Sequence, residues 1–331
     1  MGDFSGCYHG HYLGRLRPWP SAHVAVAPMA SLQRPIDAVC RGYRPATVMV
    51  SVWQRCLSAR HAFGFWLRNR DGSAQTPPSL AHLCKAMPSP PAPSPQATEA
   101  QTALALAYPA LSAWPQPLPA MVQAESLTLL HHLHTQVAPQ LAELPLPCSP
   151  TLPLRWLDVG SKNAAYALGI STFYQQHLSP HSHGLALTTL ELDAGRRYHD
   201  GYTRADYART LLAHTQAETR YLHADVLHHH ERYHVVSWLL PFVFAEPHMA
   251  WGLPLRYFKP QAMAHHVASL LEPHGLLVCL YLTLAEAEAH AEALAQAPTP
   301  LVCLHRSPVT DLWLYPTAQR HLALYQRRST P

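Results

Sequence analysis

Charge is scarce in this sequence. Charged residues make up 13% of its 331 residues, and the formal net charge at pH 7 is only +4. A charge this small on a chain of this size does not call for a nucleic acid or an anionic membrane as partner, and a solvated, slightly basic surface is the simpler interpretation. No window approaches 18 uninterrupted apolar residues, and the first residues lack a continuous apolar segment. The sequence therefore predicts neither a membrane span nor a signal peptide.

The cysteine and histidine patterns exclude further classes. The seven cysteines are odd in number, widely spaced and without a Cys-x-x-Cys pair, which argues against a disulfide framework and a zinc ribbon. Histidine is abundant at 25 residues, yet the consecutive histidines at 228–230 and 265–266 cannot all point at one ion, and no further ligand at helical spacing completes a site. No metal site is predicted, and a reduced, cytoplasmic protein is the expectation.

Two catalytic motifs are also missing. The chain has neither the Gly-x-Ser-x-Gly of a nucleophile elbow nor a phosphate loop ending in Gly-Lys-Ser or Gly-Lys-Thr. What the chain has in excess is proline, with 32 residues, many of them between Pro77 and Pro119. Because such runs favour extended chain, residues 1–120 are predicted to be largely unpacked or poorly ordered. Residues 121–318 are predicted to form an α/β domain, followed by a basic tail at 319–331.

The segment Leu154–Asn163 is central to the prediction. An apolar run rich in strand-forming residues ends in Asp158, Gly160 and Ser161, and an amphipathic segment begins at Ala164. This is the pattern of a buried strand that turns sharply into a helix. Unpaired N–H groups at a helix start, a glycine that allows close approach, and a carboxylate at the strand's end together favour a nucleotide site.

Further strands and helices alternate after this turn. A helix is expected from Ala205 to His214, with Thr203 as its cap and Asp206 three residues on. An acid stands at or near the end of the next two strands. This order predicts a doubly wound, mostly parallel seven-stranded α/β sheet that closes with an antiparallel hairpin. The later strands are predicted at Gly184–Leu192, Tyr221–Leu227, His234–Leu240, Leu276–Leu282, Leu301–His305 and Leu312–Tyr315.

Four features carry a resemblance to a known family: Asp158-Val-Gly160 at the first turn, Glu191 ending the second strand, Asp225 ending the third, and Leu271-Glu-Pro-His-Gly275 before the fifth. Over residues 121–316 the chain resembles a class I S-adenosylmethionine-dependent methyltransferase. The resemblance implies a Rossmann-like fold and S-adenosylmethionine as cofactor. It also implies that the first turn holds the methionine part, that Glu191 bonds both ribose hydroxyls, and that Asp225 lies by the adenine amine. The implied cofactor-binding residues are Asp158, Gly160, Ser161, Lys162, Glu191 and Asp225.

The first turn departs from the family pattern. Where the family has Gly-x-Gly-x-Gly, this chain has Gly160-Ser-Lys162-Asn-Ala164. Lys162 could pair with the cofactor's carboxylate, or it could fill the pocket of a protein that no longer binds. Two alternatives to an enzyme of this family therefore stay open. One is a non-catalytic methyltransferase-like scaffold, and the other is an NAD-type dinucleotide-binding enzyme, whose acidic residue Glu191 would match equally well.

The methyl acceptor is predicted to bind at residues 238–257, after the fourth strand. This segment mixes five aromatic side chains with few polar groups, as a small-molecule pocket does. His248 is the expected general base because its unperturbed pKa lies near neutrality, and Glu246 is the second choice. The sequence does not name the acceptor, and it gives no indication of the oligomeric state.

Overall fold

The structure is a computed structural model that describes residues 58–70, 76–141, 144 and 149–328. Seven strands form one sheet in the described part of the chain. They are β1 (Leu154–Val159), β2 (Leu185–Glu191), β3 (Glu218–His223), β4 (Tyr233–Leu239), β5 (Leu271–Tyr281), β6 (Leu301–Asp311) and β7 (Tyr315–Arg327).

The strand order is β3-β2-β1-β4-β5-β7-β6. The first five strands are parallel, and β7 runs antiparallel between β5 and β6. An antiparallel β7 inserted beside β5 distinguishes this sheet from the dinucleotide-binding order 3-2-1-4-5-6. The predicted Rossmann-like methyltransferase fold, with a mostly parallel sheet and an antiparallel carboxyl-terminal hairpin, is confirmed.

Helices cover both faces of the sheet. The first helix in the described ranges, α1, includes residues 58–70. The helix α4 (Ala120–His132) continues past its last α-helical residue through a π-helical turn, Leu133–Val137, and a short helix, Ala138–Leu141. No helix in the described part of the chain is long and apolar enough to cross a membrane. The other helices are α2 (Leu80–Ala86), α3 (Pro95–Ala107), α5 (Ala167–His177), α6 (Arg204–Leu212), α7 (Ala245–Ala250), α8 (Pro260–Ser269) and α9 (Leu284–Ala295).

Strand alternation divides the core between the two faces. In β5, Leu276, Val278 and Leu280 pack in one cluster with residues of α3, α4, α5 and α6. Leu277 and Cys279, between them, pack in a second cluster with α8 and α9. Burial on both faces explains why β5 is a nearly continuous apolar run from Leu276 onwards.

Residues 76–120 are packed against the sheet domain, so the prediction that residues 1–120 are largely unpacked is wrong for this part. Leu83, Leu104 and Tyr108 are each no more than 1% exposed and belong to the same core cluster as β1. Two of the prolines here, Pro95 and Pro109, stand at the start of a helical segment. Pro95 takes the first position of α3, where its missing N–H costs nothing, and Ser94 caps that helix. The rest of the prediction, for residues 1–57 and 71–75, lies outside the described residues.

The carboxyl-terminal hairpin also differs from its prediction. Residues 312–314 form the turn and not the last strand, and β7 extends through most of the segment predicted as a basic tail. In β7, Leu322 and Leu324 enter one core cluster while Ala323 and Tyr325 enter the other. The strand is held because both of its faces and both of its edges are covered. The end of the predicted tail, residues 329–331, lies outside the described residues.

Candidate functional site

The turn after β1 has a left-handed backbone at three alternate positions, of which only the first is a glycine. Gly160, Lys162 and Ala164 have φ angles of 73°, 51° and 58°. Positive φ is ordinary for glycine but uncommon for lysine and alanine, and such strain costs about 1 to 3 kcal/mol per residue. A Cβ atom added at Gly160 would meet nothing within 4 Å among the described residues. The turn thus holds an unfavourable conformation and is open at Gly160, as turns at binding sites often are.

Two polar side chains of this turn are buried without a hydrogen bond. Ser161 and Asn163 are each 2% exposed. Neither the Ser161 Oγ nor the Asn163 Oδ1 has a partner within the described ranges. The helix α5 begins at Ala167 and not at the predicted Ala164, so these atoms lie in the loop that leads to it. An unpaired buried polar group costs about 1 to 3 kcal/mol, which a ligand that bonds to it would offset.

Glu191 closes the other side of the turn. Its Oε2 accepts from the backbone N–H of Lys162 at 2.9 Å, and its Oε1 accepts from the N–H of Asp193 at 2.8 Å and from Arg204 Nη1 at 2.9 Å. A carboxylate oxygen has two lone pairs, so these bonds leave one acceptor position on Oε2. The structure brings Glu191 and Lys162 together, while a ribose-binding role for Glu191 stays a prediction.

Arg204 is a site residue that the sequence did not predict. It occupies the first turn of α6, where the predicted cap forms as a full capping box between Thr203 and Asp206. Arg204 is 5% exposed, and its guanidinium lies 5.3 Å from the centre of the Trp251 ring. It therefore links β2 to the segment predicted to bind the acceptor. The helix cap beside Arg204 was visible in the sequence, but the pairing of Arg204 with Glu191 was not.

Glu125 is the second missed residue. Its Oε1 accepts from Lys162 Nζ at 3.1 Å, and its Oε2 has no hydrogen-bond partner in the described part of the chain. Glu125 lies on α4 at 4% exposure. A lone carboxylate within a strongly apolar helix was the available signal, because a buried charge needs a partner. In this pair the ammonium of Lys162 lies against α4.

Asp158 is at the end of β1, 2% exposed, with its Oδ1 accepting from Ser237 Oγ at 2.7 Å. Burial raises the pKa of this carboxyl to about 7, although the bond from Ser237 acts in the opposite direction. Trp156 Nε1 donates to the same hydroxyl at 3.0 Å, which fixes its orientation. Asp158 is thus a titratable group near neutral pH, directly before the strained turn.

We expect Asp158 to make stability depend on pH. Folding raises the pKa of Asp158 from an ordinary 3.8 to about 7, so between these pH values the folded chain holds a proton that the unfolded chain has lost. The free energy of unfolding should therefore fall as pH rises from about 4 to about 7. Asp158→Asn keeps an oxygen for Ser237 but cannot ionise. At pH 8 it should be more stable than the wild type by up to about 4 kcal/mol. Urea unfolding at pH 5, 6, 7 and 8 checks this, and parallel pH profiles for both proteins would contradict it.

Asp225 lies two residues beyond the end of β3. Its Oδ1 accepts from the N–H of Leu227 at 3.0 Å and so caps the short 3₁₀ turn Val226–His228. The neighbouring N–H of Ala224 donates to the carbonyl of Glu191 at 3.2 Å, which keeps the ends of β2 and β3 adjacent. The predicted strand Tyr221–Leu227 ends earlier because this cap turns the chain.

His248 and Glu246, the predicted acceptor-side residues, lie on α7. His248 is 3% exposed, and its Nε2 donates to the carbonyl of Pro254 at 2.9 Å, since a carbonyl can only accept. Burial lowers the pKa of His248, so the ring is neutral and its Nδ1 carries the free lone pair. Glu246 is exposed at the first turn of the helix.

The aromatic segment 238–257 is divided by the structure. Trp238 belongs to the core cluster beneath α8 and α9 and meets His290 edge-on at 4.9 Å, so it is not available as a wall of an acceptor pocket. Trp251 ends α7 and lies against Arg204. Alternation along β4 directs Trp238 to the face that α8 and α9 cover, whereas Trp251 lies beyond the strand. Within the described ranges, no group of three or more His, Cys, Asp or Glu residues could hold a metal ion.

No family model and no curated protein matches the chain. Several solved structures are similar to it. TrmN from Thermus thermophilus is 17% identical over 63% of this chain and 49% of TrmN, with a TM-score of 0.38. The N-methyltransferase NodS from Bradyrhizobium japonicum WM9, in complex with S-adenosyl-L-homocysteine, is 16% identical over 60% of this chain and 91% of NodS, with a TM-score of 0.35. Magnesium protoporphyrin IX methyltransferase from Synechocystis PCC 6803, with bound SAM, is 13% identical over 63% of this chain and 84% of that enzyme, with a TM-score of 0.37. The match thus spans about half of TrmN. Likenesses this low establish neither an activity nor a substrate, and the fold is established by the strand order.

Proposed function

We propose that this protein is an S-adenosylmethionine-dependent methyltransferase that acts on a small-molecule acceptor. The observation that carries the proposal is the turn after β1, which has three left-handed residues, is open at Gly160, and buries polar atoms for which the described residues offer no partner. A chain does not gain stability from such a turn, so a bound ligand is its simplest explanation.

The residues present fit the cofactor. Its methionine end carries one carboxylate and one ammonium. The turn offers Lys162 for the first, and α4 offers the Oε2 of Glu125 for the second. The remaining acceptor position on Glu191 suits a ribose hydroxyl, and Asp225 is proposed to lie by the adenine amine. When bound, the cofactor's sulfonium supplies an electrophilic methyl group.

The chain's own contribution is alignment and exclusion of water. Arg204 holds Glu191 and packs on Trp251, so one buried cation fixes both the proposed ribose acceptor and the proposed edge of the acceptor site. Methyl transfer asks little more of a protein than this positioning. The proposed base is His248 through its Nδ1, with Glu246 as second choice. Once an acceptor is found, His248→Gln should lower turnover and leave cofactor affinity unchanged, and unaltered turnover would remove His248 from the mechanism.

Calorimetry distinguishes the proposal from its alternatives. Full-length protein titrated with S-adenosylhomocysteine should give saturable one-to-one binding. Titration with NAD⁺ should give none, because Lys162 and Ala164 replace glycines that would let the backbone approach a pyrophosphate. The scaffold alternative is favoured by one observation, the three bonds that already occupy Glu191. No heat change with either ligand at millimolar concentration would favour the scaffold, and binding of NAD⁺ alone would favour the dinucleotide-binding enzyme.

The cytoplasmic location stays a prediction. Cys84, Cys279 and Cys303 are free thiols, as a reducing compartment would keep them. Fractionation of cells that produce the tagged protein tests it, and recovery in an oxidising compartment would contradict it.

A further inference from the structure

A cleft of about 340 Å³ lies between the π-helical turn of α4 and the β6–β7 hairpin. Its volume is near the lower end of the range for small-molecule sites, about 300 to 1,000 Å³. Since β6 and β5 both pair antiparallel with β7, β6 runs parallel to β5 and ends at the same sheet edge as β1. The cleft is nevertheless separate from the proposed cofactor site, and none of its lining residues belongs to that site.

The π-helical turn forms one wall. Helix α4 is α-helical up to His132 and again from Ala138, and the wider turn between them, Leu133–Val137, places Thr135 and Gln136 on the cleft. Single π-helical turns are rare and occur often at functional sites. The wall opposite is the hairpin, with Val309 and Leu312 as apolar surface.

Two adjacent histidines line the cleft with unpaired ring nitrogens. His132 is 1% exposed, and neither its Nε2 nor the Nδ1 of His131 has a hydrogen-bond partner in the described part of the chain. Burial lowers the pKa of His132 to about 3, and it lowers that of His131 as well. Both rings are therefore neutral near pH 7, and each has one N–H donor and one acceptor nitrogen. A ligand that bonds to them would offset about 1 to 3 kcal/mol per unpaired group.

The charges near the cleft are already matched. The side chains that line it include no carboxylate, lysine or arginine among the described residues. Behind the wall, the buried Arg320 lies 3.2 Å from Asp311, and Asp311 also accepts from Thr128 Oγ1 at 3.1 Å. An ion that entered the cleft would lose its hydration without gaining a counter-charge. An uncharged ligand is favoured for this reason.

The geometry also favours a planar ligand. The rings of His131 and His132 both line the cleft, with their centres 6.0 Å apart, and Trp313 meets the His131 ring edge-on at 5.6 Å from outside the lining. Aromatic edges and faces with apolar neighbours bind flat rings well. We propose that this cleft is a second ligand site, which binds a small uncharged heteroaromatic compound with amide-like donors and acceptors.

One face of α4 connects the two sites. Glu125, Thr128 and His132 are three and then four residues apart, so they share a helix face. Glu125 bonds to the turn after β1, Thr128 bonds to the hairpin, and His132 lines the cleft. A compound in the cleft would contact the helix that carries Glu125. Binding in the cleft does not require the proposed cofactor, so the two proposals can fail separately.

Pyrazinamide and cytosine are suitable probes, with pyrazine-2-carboxylate as the charged counterpart of the first. Titration calorimetry of the full-length protein should show saturable binding of at least one neutral probe at millimolar concentration and at least tenfold weaker binding of the carboxylate. His132→Phe, which keeps the ring volume, and Gln319→Leu, at the exposed rim, should each weaken binding at least fivefold. Gln261→Leu on the exposed face of α8 is the matched control and should change nothing.

Three results would overturn the proposal. They are no binding of either neutral probe, equal binding of the carboxylate, and binding that survives both cleft variants unchanged. The exposed rim variant guards against misfolding, because Gln319 is outside the core and its loss should leave the melting temperature unaltered.

Discussion

A truncated chain that begins at Met121 is expected to lose cooperative folding. It lacks Leu83, Leu104, Tyr108 and Trp114, which are at most 8% exposed and pack in the cluster that supports β1. Burial of four such side chains contributes about 6 to 12 kcal/mol, comparable with the whole stability of a typical domain. The truncation also removes the hydrogen-bond partners of His177 and Thr172, which bond to the Tyr108 hydroxyl and to Trp114 Nε1 at 2.9 Å each.

Thermal unfolding followed by near-ultraviolet circular dichroism checks this expectation. The matched control is a chain that begins at Ser58, which keeps every described residue and should melt cooperatively, as the full-length protein does. If the chain from Met121 melted at the same temperature as this control, residues 58–120 would not be part of the core.

Asp193→Ala should destabilise the folded protein strongly. Asp193 is fully buried and binds Arg68 through two bonds of 2.6 and 2.9 Å, Arg196 at 2.8 Å and Asn69 at 2.9 Å. Removal of one partner leaves buried cations uncompensated, which costs about 3 to 5 kcal/mol. As Arg68 and Arg196 keep about a fifth of their side-chain surface exposed, the lower end of this range is expected.

Urea unfolding at pH 7 measures the effect of Asp193→Ala. Glu231→Gln is the control, because the Glu231–Arg220 pair is about half exposed and should contribute less than about 1 kcal/mol. Burial alone would raise the pKa of Asp193, but the arginines outweigh it and the pKa is lowered. Its stabilisation is thus present above the unfolded pKa of 3.8 and lost as pH falls through the folded value. Equal effects of both variants at pH 7 would contradict the assignment.

The features that the sequence predicted well are local. The apolar runs of β1, β2 and β4 end within a residue or two of the structural strands, and the Thr203–Asp206 cap forms as its spacing indicates. Asp158 and Gly160 also lie where the turn pattern placed them. In each case, neighbouring residues along the chain supply the whole signal, so periodicity and capping rules suffice.

The features that it missed depend on distant partners. Arg68 and Asp193 are 125 residues apart, and Glu125 and Lys162 are 37 apart. A single sequence contains no record of such pairs. The last strand was predicted at Leu312–Tyr315, too early in the chain, for a related reason: β7 is held between β5 and β6, and this insertion cannot be read from its own pattern. The helices at 76–120 were missed because proline was interpreted as a breaker where it starts a helix.

The central claim is that the turn after β1 holds the amino-acid end of S-adenosylmethionine. It is tested most directly by calorimetric titration with S-adenosylhomocysteine and with 5′-methylthioadenosine, which lacks that end. The proteins titrated are the wild type, Lys162→Met and, as control, Lys259→Met at an exposed position. We predict that wild type and control bind S-adenosylhomocysteine at least tenfold more tightly than methylthioadenosine, about 1.4 kcal/mol or more, and that Lys162→Met removes the difference. Equal affinity of the wild type for both compounds, or no binding of either, would contradict the claim.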